Sequence, residues 1–258
     1  MLSDQQLLRY SRQILLPEVD FDGQDRLRAA SVLLVGAGGL ASPAALYLAG
    51  AGIGQLIIAD HDQLESSNLH RQIAFRHSDV GSNKAQALAA QLTALNSDVA
   101  ITAHPQQVDA GWLANIVPTV DVVLDCSDNF ATRVAVNRAC VAARKPLVSG
   151  AAIRFSGQLA VFDLRDPQAP CYACLFGDQD DDDQRCRDVG ILGPVVGTIG
   201  TLQALQALRL LLGQPVSPTL HLFEGASLSW QTLQIKRDPA CPVCAEDPGK
   251  SRLDCESA

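Results

Sequence analysis

Basic side chains are scarce in this sequence. The 258 residues include 20 Lys and Arg against 28 Asp and Glu, which gives a net charge of −8 with neutral histidine. Because binding to a nucleic-acid backbone depends on clustered Lys and Arg, this balance disfavours nucleic acid as the main partner. A local basic pocket remains compatible with the composition.

The N-terminus lacks the features of a secretory signal. Residues 1–6 do not form a basic region followed by an apolar segment. We therefore expect the protein to be cytoplasmic. In that compartment, cysteines are better suited to metal binding or chemistry than to a disulfide framework, and the sequence has eight of them.

Charge is also absent from two long runs, residues 29–59 and 189–208. Their length alone would make both runs candidates for membrane spans. Glycine and proline interrupt both of them, however, and the first run has the order strand, turn, helix, turn and strand. We interpret both as buried elements of a soluble core and expect no association with membranes.

Strands and helices alternate over the first 150 residues. Ser3 and Gln6 form a capping box that begins an N-terminal helix, and Pro17 marks its end. Predicted strands lie at Ser31–Val35, Gln55–Ala59, 120–124 and 147–148, with helical segments between them. This alternation predicts an α/β fold with a Rossmann-like, doubly wound, mainly parallel sheet.

The second half has a different pattern. Strands are predicted at 158–163, 219–223 and 230–236, and the helix between them lies around 201–212. Antiparallel strands that extend the same sheet are the simplest interpretation. We expect a single domain over residues 1–258, with an N-terminal helix at 1–20, a parallel half at 30–150, an antiparallel half at 151–245 and a flexible tail at 246–258.

A glycine-rich turn follows the first predicted strand and opens a helix. Gly36, Gly38 and Gly39 would let backbone N–H groups approach phosphate oxygens at a helix N-terminus, where negative charge is favoured. Asp60 ends the next strand, where its carboxylate can accept hydrogen bonds from ribose hydroxyls. The pattern favours a nucleotide site over glycines that only pack a helix against a strand. A nicotinamide dehydrogenase has these features as well.

Polar residues past the strand ends bear on which nucleotide binds. Arg71 lies in the polar segment 67–72, Lys84 opens the next helix, and Asp128 and Asn129 follow a later strand. Because the carboxyl ends of parallel strands meet at one crevice, these residues can lie together. Cations facing a carboxylate suit a triphosphate with Mg²⁺ better than a dinucleotide, although unrelated surface charges would give the same pattern.

Two Cys-x-x-Cys pairs lie far apart in the chain, Cys171 with Cys174 and Cys241 with Cys244. Four thiolates complete a tetrahedral zinc site, and closed four-cysteine sites are usually structural. The gap is wider than in common zinc fingers, and redox-active pairs or core cysteines are the alternatives. We favour structural Zn²⁺ that holds the C-terminal segment to the chain after residue 163, away from the nucleotide.

These motifs together resemble the ThiF/MoeB/HesA family. The resemblance is carried by residues 9–14, 36–41, 67–72 and 125–129 and by the two Cys-x-x-Cys pairs, and it extends from residue 2 to about residue 244. It implies an E1-like adenylation domain with a nucleotide-binding half and a zinc-binding half. Such enzymes use ATP to adenylate the C-terminal Gly-Gly carboxylate of a small ubiquitin-like sulfur-carrier protein, which prepares that carboxylate for conversion to a thiocarboxylate.

The resemblance also implies roles for individual residues. The expected ATP contacts are Gly36, Gly38, Gly39, Asp60, Ser67, Asn68, Arg71, Lys84, Asp128 and Asn129. Asp128 would lie near the Mg²⁺, and Arg12 would reach into the site of the neighbouring subunit of a homodimer. Arg12, Arg71, Lys84 and Asp128 are the expected catalytic residues, and the role of Cys186 stays open.

The identity of the carrier stays open between two branches of the family. Residues 147–154 resemble the molybdopterin-synthase branch, which we prefer, whereas Cys186 with residues 193–197 resembles the thiamin branch. In the thiamin branch such a cysteine receives the carrier's acyl group or handles its sulfur, and the arginines beside Cys186 would favour its thiolate. No rhodanese domain follows the core, so we expect a separate protein as sulfur donor. A nicotinamide oxidoreductase and a zinc-stabilised scaffold are the alternatives of a different class.

Overall fold

The sheet that the sequence predicts is present in the computed structural model, which describes residues 2–178 and 189–245. Within these two ranges, eight strands form one mixed sheet, with helices on both of its faces. Cys186 and the predicted tail at 246–258 lie outside the described residues.

The helices and strands have the following bounds. The helices are α1 (Asp4–Ile14), α2 (Asp20–Ala29), α3 (Ala41–Ala51), α4 (Lys84–Leu95), α5 (Ala110–Ile116), α6 (Phe130–Ala143), α7 (Tyr172–Phe176) and α8 (Gly193–Leu211). The strands are β1 (Ser31–Val35), β2 (Gln55–Ala59), β3 (Ala100–His104), β4 (Val122–Asp125), β5 (Leu147–Ile153), β6 (Ser156–Phe162), β7 (Thr219–Glu224) and β8 (Ser229–Gln234).

The strand order is β3-β2-β1-β4-β5-β6-β7-β8. The first five strands in this order are parallel, and β6, β7 and β8 extend the sheet in antiparallel pairs. The mixed sheet therefore confirms the predicted fold class. Val35 pairs with both Ala59 and Asp125, so β1, β2 and β4 end level with one another. The predicted boundary at residue 150 falls inside β5, and the two halves share one sheet.

Side chains of the central strands alternate between two apolar cores. In β1, Val32 and Leu34 face the core formed with α3, α4 and α8, whereas Leu33 and Val35 face the core formed with α5, α6 and α7. Strands that are buried on both faces need apolar residues at nearly every position, as β1 has. The two cores fix the sheet between helical layers and leave the carboxyl ends of the strands open.

The uncharged run at 189–208 forms most of α8, which begins earlier than its predicted start at residue 201. Pro194 is tolerated there because the first turn of a helix leaves its N–H groups unpaired. Gly200 lets α8 cross the start of α3 closely, since a Cβ at this position would lie 2.1 Å from the Leu40 carbonyl oxygen. Among the helices in the described ranges, none combines the length and apolar character that a membrane span needs.

The N-terminal segment contains two helices where the sequence predicts one. The capping box is present, since Ser3 Oγ accepts from the Gln6 N–H at 3.3 Å, and α1 ends at Ile14 as Pro17 indicated. The second helix, α2, was not predicted. Tyr10 anchors α1 by accepting a hydrogen bond from Asn96 Nδ2 at 2.9 Å, beside the residues that precede β2 and β3. Helix α1 therefore lies at the amino-end edge of the sheet.

Candidate functional site

A cavity of about 960 Å³ opens at the carboxyl ends of β1, β2 and β4. Its volume lies at the upper end of the range for small-molecule and cofactor sites. Eight of the predicted ATP contacts line it: Gly36, Gly38, Gly39, Asp60, Arg71, Lys84, Asp128 and Asn129. The structure thus brings together residues that are up to 93 positions apart in the sequence, from Gly36 to Asn129.

Three predicted site residues do not line this cavity in the described part of the chain. Ser67 is exposed, and the buried Asn68 accepts a hydrogen bond from the Glu65 N–H at 3.2 Å. The Asn68 carbonyl oxygen accepts from the Arg71 N–H at 3.1 Å, so this turn positions the cationic residue that follows it. Arg12 is exposed on α1, at the opposite edge of the sheet.

The glycine turn is shaped for close approach by an anion. Gly36 has a φ of +95°, and a Cβ there would lie 2.8 Å from the Cys126 carbonyl oxygen. The turn leads into α3, whose N-cap residue, Leu40, supplies no side-chain hydrogen bond to the first turn. Within α3, the Ser42 N–H already donates to the Gly38 carbonyl oxygen at 2.9 Å and Pro43 has no N–H. An anion would therefore meet the N–H groups of the turn itself, beside the positive end of the helix dipole.

Asp60 braces this turn from the end of β2. Its Oδ2 accepts from the Ala37 N–H at 2.7 Å, and its Oδ1 accepts from the Asp62 N–H at 2.8 Å. Burial raises the pKa of Asp60, and the two backbone hydrogen bonds oppose that effect. Each carboxylate oxygen can accept more than one hydrogen bond. Asp60 can therefore hold the turn and still accept hydroxyl groups from a ribose.

Two cations face the cavity from different elements. Lys84, at the start of α4, is 8% exposed and donates from Nζ to Asp62 Oδ2 at 2.7 Å. Arg71 donates from Nη1 to the Ser67 carbonyl oxygen at 3.1 Å, and the same atom lies 2.9 Å from His70 Nε2. Both side chains are thus oriented before a ligand binds, which lowers the cost of placing positive charge next to phosphate.

Asp128 and Asn129 lie on the loop after β4, and a buried ion pair supports this loop. Asp125 is 1% exposed and accepts two hydrogen bonds from Ser127, from the backbone N–H at 3.1 Å and from the hydroxyl at 2.6 Å. Arg133 on α6 pairs with the other carboxylate oxygen at 3.3 Å. Asn129 caps α6 by accepting from the Thr132 N–H at 2.9 Å. The exposed Asp128 is therefore presented from a rigid turn.

Arg133 and Tyr172 also line the cavity, although neither belongs to the site that the sequence predicts. One signal for Arg133 is present in the sequence. It shares the buried face of α6 with Val136, Asn137 and Cys140, at helical spacing. An arginine on an otherwise buried face indicates an internal charge partner. Tyr172 carries no comparable signal, because only the packing of α7 under the sheet brings it to the cavity.

The four predicted cysteine ligands converge at one place. The Sγ atoms of Cys171 and Cys241 are 3.7 Å apart, and those of Cys174 and Cys244 are 3.4 Å apart. All four Sγ atoms lie within 4.8 Å of one another. Zinc–sulfur bonds of about 2.3 Å in a tetrahedron require sulfur atoms about 3.8 Å apart, whereas a disulfide requires about 2.05 Å. The spacing fits a four-thiolate metal site and excludes disulfides among these cysteines.

The four cysteines do not line the cavity, and the cluster approaches it through the neighbouring residue Tyr172. The separation of the metal site from the nucleotide stays a prediction. Tyr172 follows Cys171 directly and lines the cavity, so the segment that contains the first Cys-x-x-Cys pair adjoins the site. Hydrogen bonding with Cys171 lowers the pKa of Cys174, whereas hydrogen bonding with Cys174 raises the pKa of Cys171 and burial raises that of Cys244. Cys174 is therefore the cysteine of these three whose thiolate is favoured without metal. Thiolates are the form in which cysteine binds zinc.

Comparisons with known proteins agree with this geometry. The ThiF family model matches residues 10–243. The Sulfur carrier protein ThiS adenylyltransferase of Escherichia coli is 47% identical over 245 residues, which cover 94% of this chain and 97% of that protein. The Molybdopterin-synthase adenylyltransferase of the same organism is 41% identical over 247 residues, covering 95% of this chain and 99% of that protein.

Longer relatives and solved structures extend the comparison. Mouse Adenylyltransferase and sulfurtransferase MOCS3 is 44% identical over 257 residues, and the chain spans 55% of its length. The crystal structure of E. coli MccB superposes with a TM-score of 0.81 at 25% identity, covering 95% of this chain and 73% of MccB. The family match over most of the chain and the end-to-end similarity to two relatives show that this chain belongs to the ThiF family.

Proposed function

We propose that this chain adenylates the C-terminal Gly-Gly carboxylate of a small ubiquitin-like sulfur-carrier protein, with ATP as the second substrate. The observation that carries this proposal is the single cavity that joins the glycine turn, Asp60, two cations and Asp128. The names of the two E. coli relatives support the reaction and the class of carrier. A structure of MccB with AMPCPP, at 25% identity and a TM-score of 0.77, supports a nucleotide in the equivalent fold.

The reaction joins two anions. A carboxylate oxygen of the carrier attacks the α-phosphorus of ATP and forms a new O–P bond. The bond between the α-phosphorus and the bridging oxygen of the pyrophosphate breaks, and pyrophosphate leaves. An α-carboxyl group has a pKa of about 3.3–3.7, so the nucleophile is ionised at neutral pH and needs no general base. The protein's task is to align the reactants and to neutralise their repulsion.

The cavity residues match that task. The glycine turn and the start of α3 receive phosphate oxygens, and Asp60 accepts the ribose hydroxyls. Lys84 and Arg71 neutralise phosphate charge and hold the leaving pyrophosphate, because both residues line the cavity. Lys84 keeps Asp62 as a partner, which fixes the position of its Nζ before ATP arrives.

Asp128 is the residue we assign to Mg²⁺. Its carboxylate is exposed to the cavity from the loop after β4, and carboxylates are the ligands that Mg²⁺ prefers beside substrate phosphates. When bound, Mg²⁺ neutralises phosphate charge and activates the α-phosphorus. Asn129 supports this arrangement by capping α6 and holding the loop.

Zn²⁺ is the metal we assign to Cys171, Cys174, Cys241 and Cys244. The sulfur spacing and the donor set, four thiols that close a tetrahedron, fit a structural site. Bound zinc ties α7 to the segment after β8. Asn137 donates from Nδ2 to Cys171 Sγ at 3.6 Å, which orients that ligand.

Arg12 is the residue we assign to the site of a second subunit. Helix α1 packs beside Asn96, at the amino ends of the strands, and the cavity lies at their carboxyl ends. Arg12 is thus remote from the cavity of its own chain. In a homodimer, it would complete the site of the other subunit. A symmetric dimer places the same side chain in both sites.

Pyrophosphate exchange into ATP tests the proposed reaction. We expect exchange that requires a carrier ending in Gly-Gly, and we expect it to fall by at least about a hundredfold in Asp128→Ala and in Arg71→Ala. Glu18→Ala is the matched control, since Glu18 is exposed and outside the cavity. Absence of exchange with every Gly-Gly carrier, in folded protein that binds ATP, would defeat the proposal.

The same assay decides between the two carriers. Residues 147–154 favour the molybdopterin carrier, whereas the relative with 47% identity acts on ThiS by its name. We therefore assay a molybdopterin-type and a thiamin-type carrier in parallel at equal concentrations. The carrier with the higher kcat/KM is assigned, and values within about threefold assign both.

Mixing two inactive variants tests the role of Arg12. In a mixed dimer of Arg12→Ala with Asp128→Ala, one site receives both native side chains and the other receives neither. We expect about a quarter of native activity after subunit exchange at equal concentrations, because half of the dimers are mixed. Mixtures that stay inactive, although exchange is complete, would refute the assignment of Arg12 to the other subunit.

A further inference from the structure

A polar stripe runs along one face of α6 from the cavity to the cysteine cluster. Asn129, Arg133 and Asn137 are spaced four residues apart, so they lie one above another on the helix. Arg133 and Asn137 are buried at 8% and 0% exposure. At 1.5 Å per residue, the stripe covers about 12 Å, from the cap at the cavity to the residue that contacts Cys171.

At its far end, the stripe holds the cysteine cluster. Asn137 donates from Nδ2 to Cys171 Sγ at 3.6 Å, and its Oδ1 accepts from the Tyr172 N–H at 3.0 Å. One buried amide therefore fixes both a predicted metal ligand and the residue that follows it. Because α7 begins at Tyr172, the position of this helix depends on the cluster and on α6 together.

Arg133, the middle residue of the stripe, lies near Tyr172. The Tyr172 ring is 4% exposed, packs against Phe176 with ring centroids 4.6 Å apart, and lines the same cavity as Arg133. Burial raises the pKa of the Tyr172 hydroxyl, and the charge of Arg133 opposes that effect. Arg133 also donates to the carbonyl oxygens of Ser127 and of Gly150, the latter at 2.9 Å. Arg133 therefore connects the cavity wall that contains Tyr172 to the backbone that precedes Asp128.

We propose that metal occupancy of the cysteine cluster and binding of ATP in the cavity are energetically coupled through Asn137, Tyr172 and Arg133. Tyr172 is the positioning residue in this connection, since it touches both the start of the cluster and the support of the Asp128 loop. The proposal rests on the proposed function for the identity of the nucleotide and of the metal. Coupling of this kind is reciprocal, so ATP must tighten zinc binding by the same factor by which zinc tightens ATP binding.

A zinc competition titration with and without saturating ATP measures the coupling. A zinc-selective chelator competes for the metal while Mg²⁺ is kept in excess, and ATP binding is checked by calorimetry. We compare native protein with Tyr172→Phe, which keeps the ring and removes the hydroxyl. Tyr47→Phe is the matched control, because Tyr47 is 59% exposed on α3.

We expect ATP to tighten zinc binding about tenfold in native protein and in Tyr47→Phe, and less than about twofold in Tyr172→Phe. Tyr172→Phe should still bind zinc at the native stoichiometry, which separates lost coupling from a damaged cluster. An equal effect of ATP in Tyr172→Phe, or no effect in native protein, would overturn the inference. Native protein that shows the coupling but catalyses no exchange with any carrier would remove the proposed reaction and leave the coupling intact.

Discussion

Arg133 and Lys84 are both almost fully buried cations that pair with an aspartate. Substituting Arg133 should mainly lower stability, whereas substituting Lys84 should mainly lower activity. The partner of Arg133, Asp125, is 1% exposed, whereas the side chain of Asp62, the partner of Lys84, is 48% exposed. Removing one member of a buried pair leaves an uncompensated charge and costs about 3–5 kcal/mol. An aspartate that water can reach is rehydrated, and the loss is about 0–1 kcal/mol.

We therefore expect Arg133→Met to lower the free energy of unfolding by about 3–5 kcal/mol. For a chain of this size the melting temperature should fall by roughly 6–20 °C, at about 2–4 °C per kcal/mol. Lys84→Met should melt within about 4 °C of native protein. It should nevertheless lose about a hundred- to a thousandfold in pyrophosphate exchange, since it removes a charge that faces phosphate.

Calorimetric melting and exchange kinetics on the two variants check this pair of expectations. The double variant Asp125→Asn with Arg133→Met is the control, because it removes the stranded carboxylate and should recover part of the lost stability. If Arg133→Met melted like native protein, the buried pair would not support the loop. If Lys84→Met destabilised the fold as much as Arg133→Met, the distinction drawn from burial of the partner would be wrong.

Three further changes test the packing, the ribose contact and the cluster. Gly200→Ala should lower the free energy of unfolding by several kcal/mol, because the new Cβ would meet the Leu40 carbonyl oxygen. Gly197→Ala should stabilise α8 by about 0.5–1 kcal/mol, because no atom lies within 4 Å of the new Cβ. Urea unfolding measures both changes. Burial raises the pKa of Asp60, so ATP binding should weaken as pH falls from 7 toward that raised pKa. Below the pKa, the affinity should fall by up to about tenfold per pH unit. Calorimetry should show no such pH dependence for Asp60→Asn. Cys171→Ser should abolish stoichiometric zinc in metal analysis and lower the melting temperature; full zinc retention would contradict the four-cysteine assignment.

The elements that could be predicted from the sequence are those with a strong local pattern. The glycine turn and the two apolar strands beside it, β1 and β2, follow from adjacent residues, and so does the carboxylate at Asp60. Strand β3 was missed because its residues are partly or fully exposed and form no apolar run. Helix α2 was missed because its sequence is rich in charge and contains Gly23, which gives little helical periodicity.

The parts of the site that escaped prediction depend on contacts between distant segments. Tyr172 reaches the cavity through α7, and the position of α7 is set by Asn137 and by cysteines about 70 residues further along the chain. The sequence predicts too late a start for α8 because Gly193 and Pro194 are typical of a break in a helix. In the structure, Gly193 packs against the His70 carbonyl oxygen and Pro194 occupies the first turn of the helix.

The crossing of α8 over α3 has a consequence for the order in which the protein is built. The glycine turn packs against α8, since a Cβ at Gly39 would lie 3.2 Å from the Val196 side chain. Strands β1, β2 and β4 are synthesised well before α8, and until Gly193–Leu211 emerges from the ribosome one apolar face of α3 and β5 has no cover. The nucleotide cavity is therefore completed late in synthesis, and a nascent chain that stops before α8 should be a substrate for chaperones rather than for ATP.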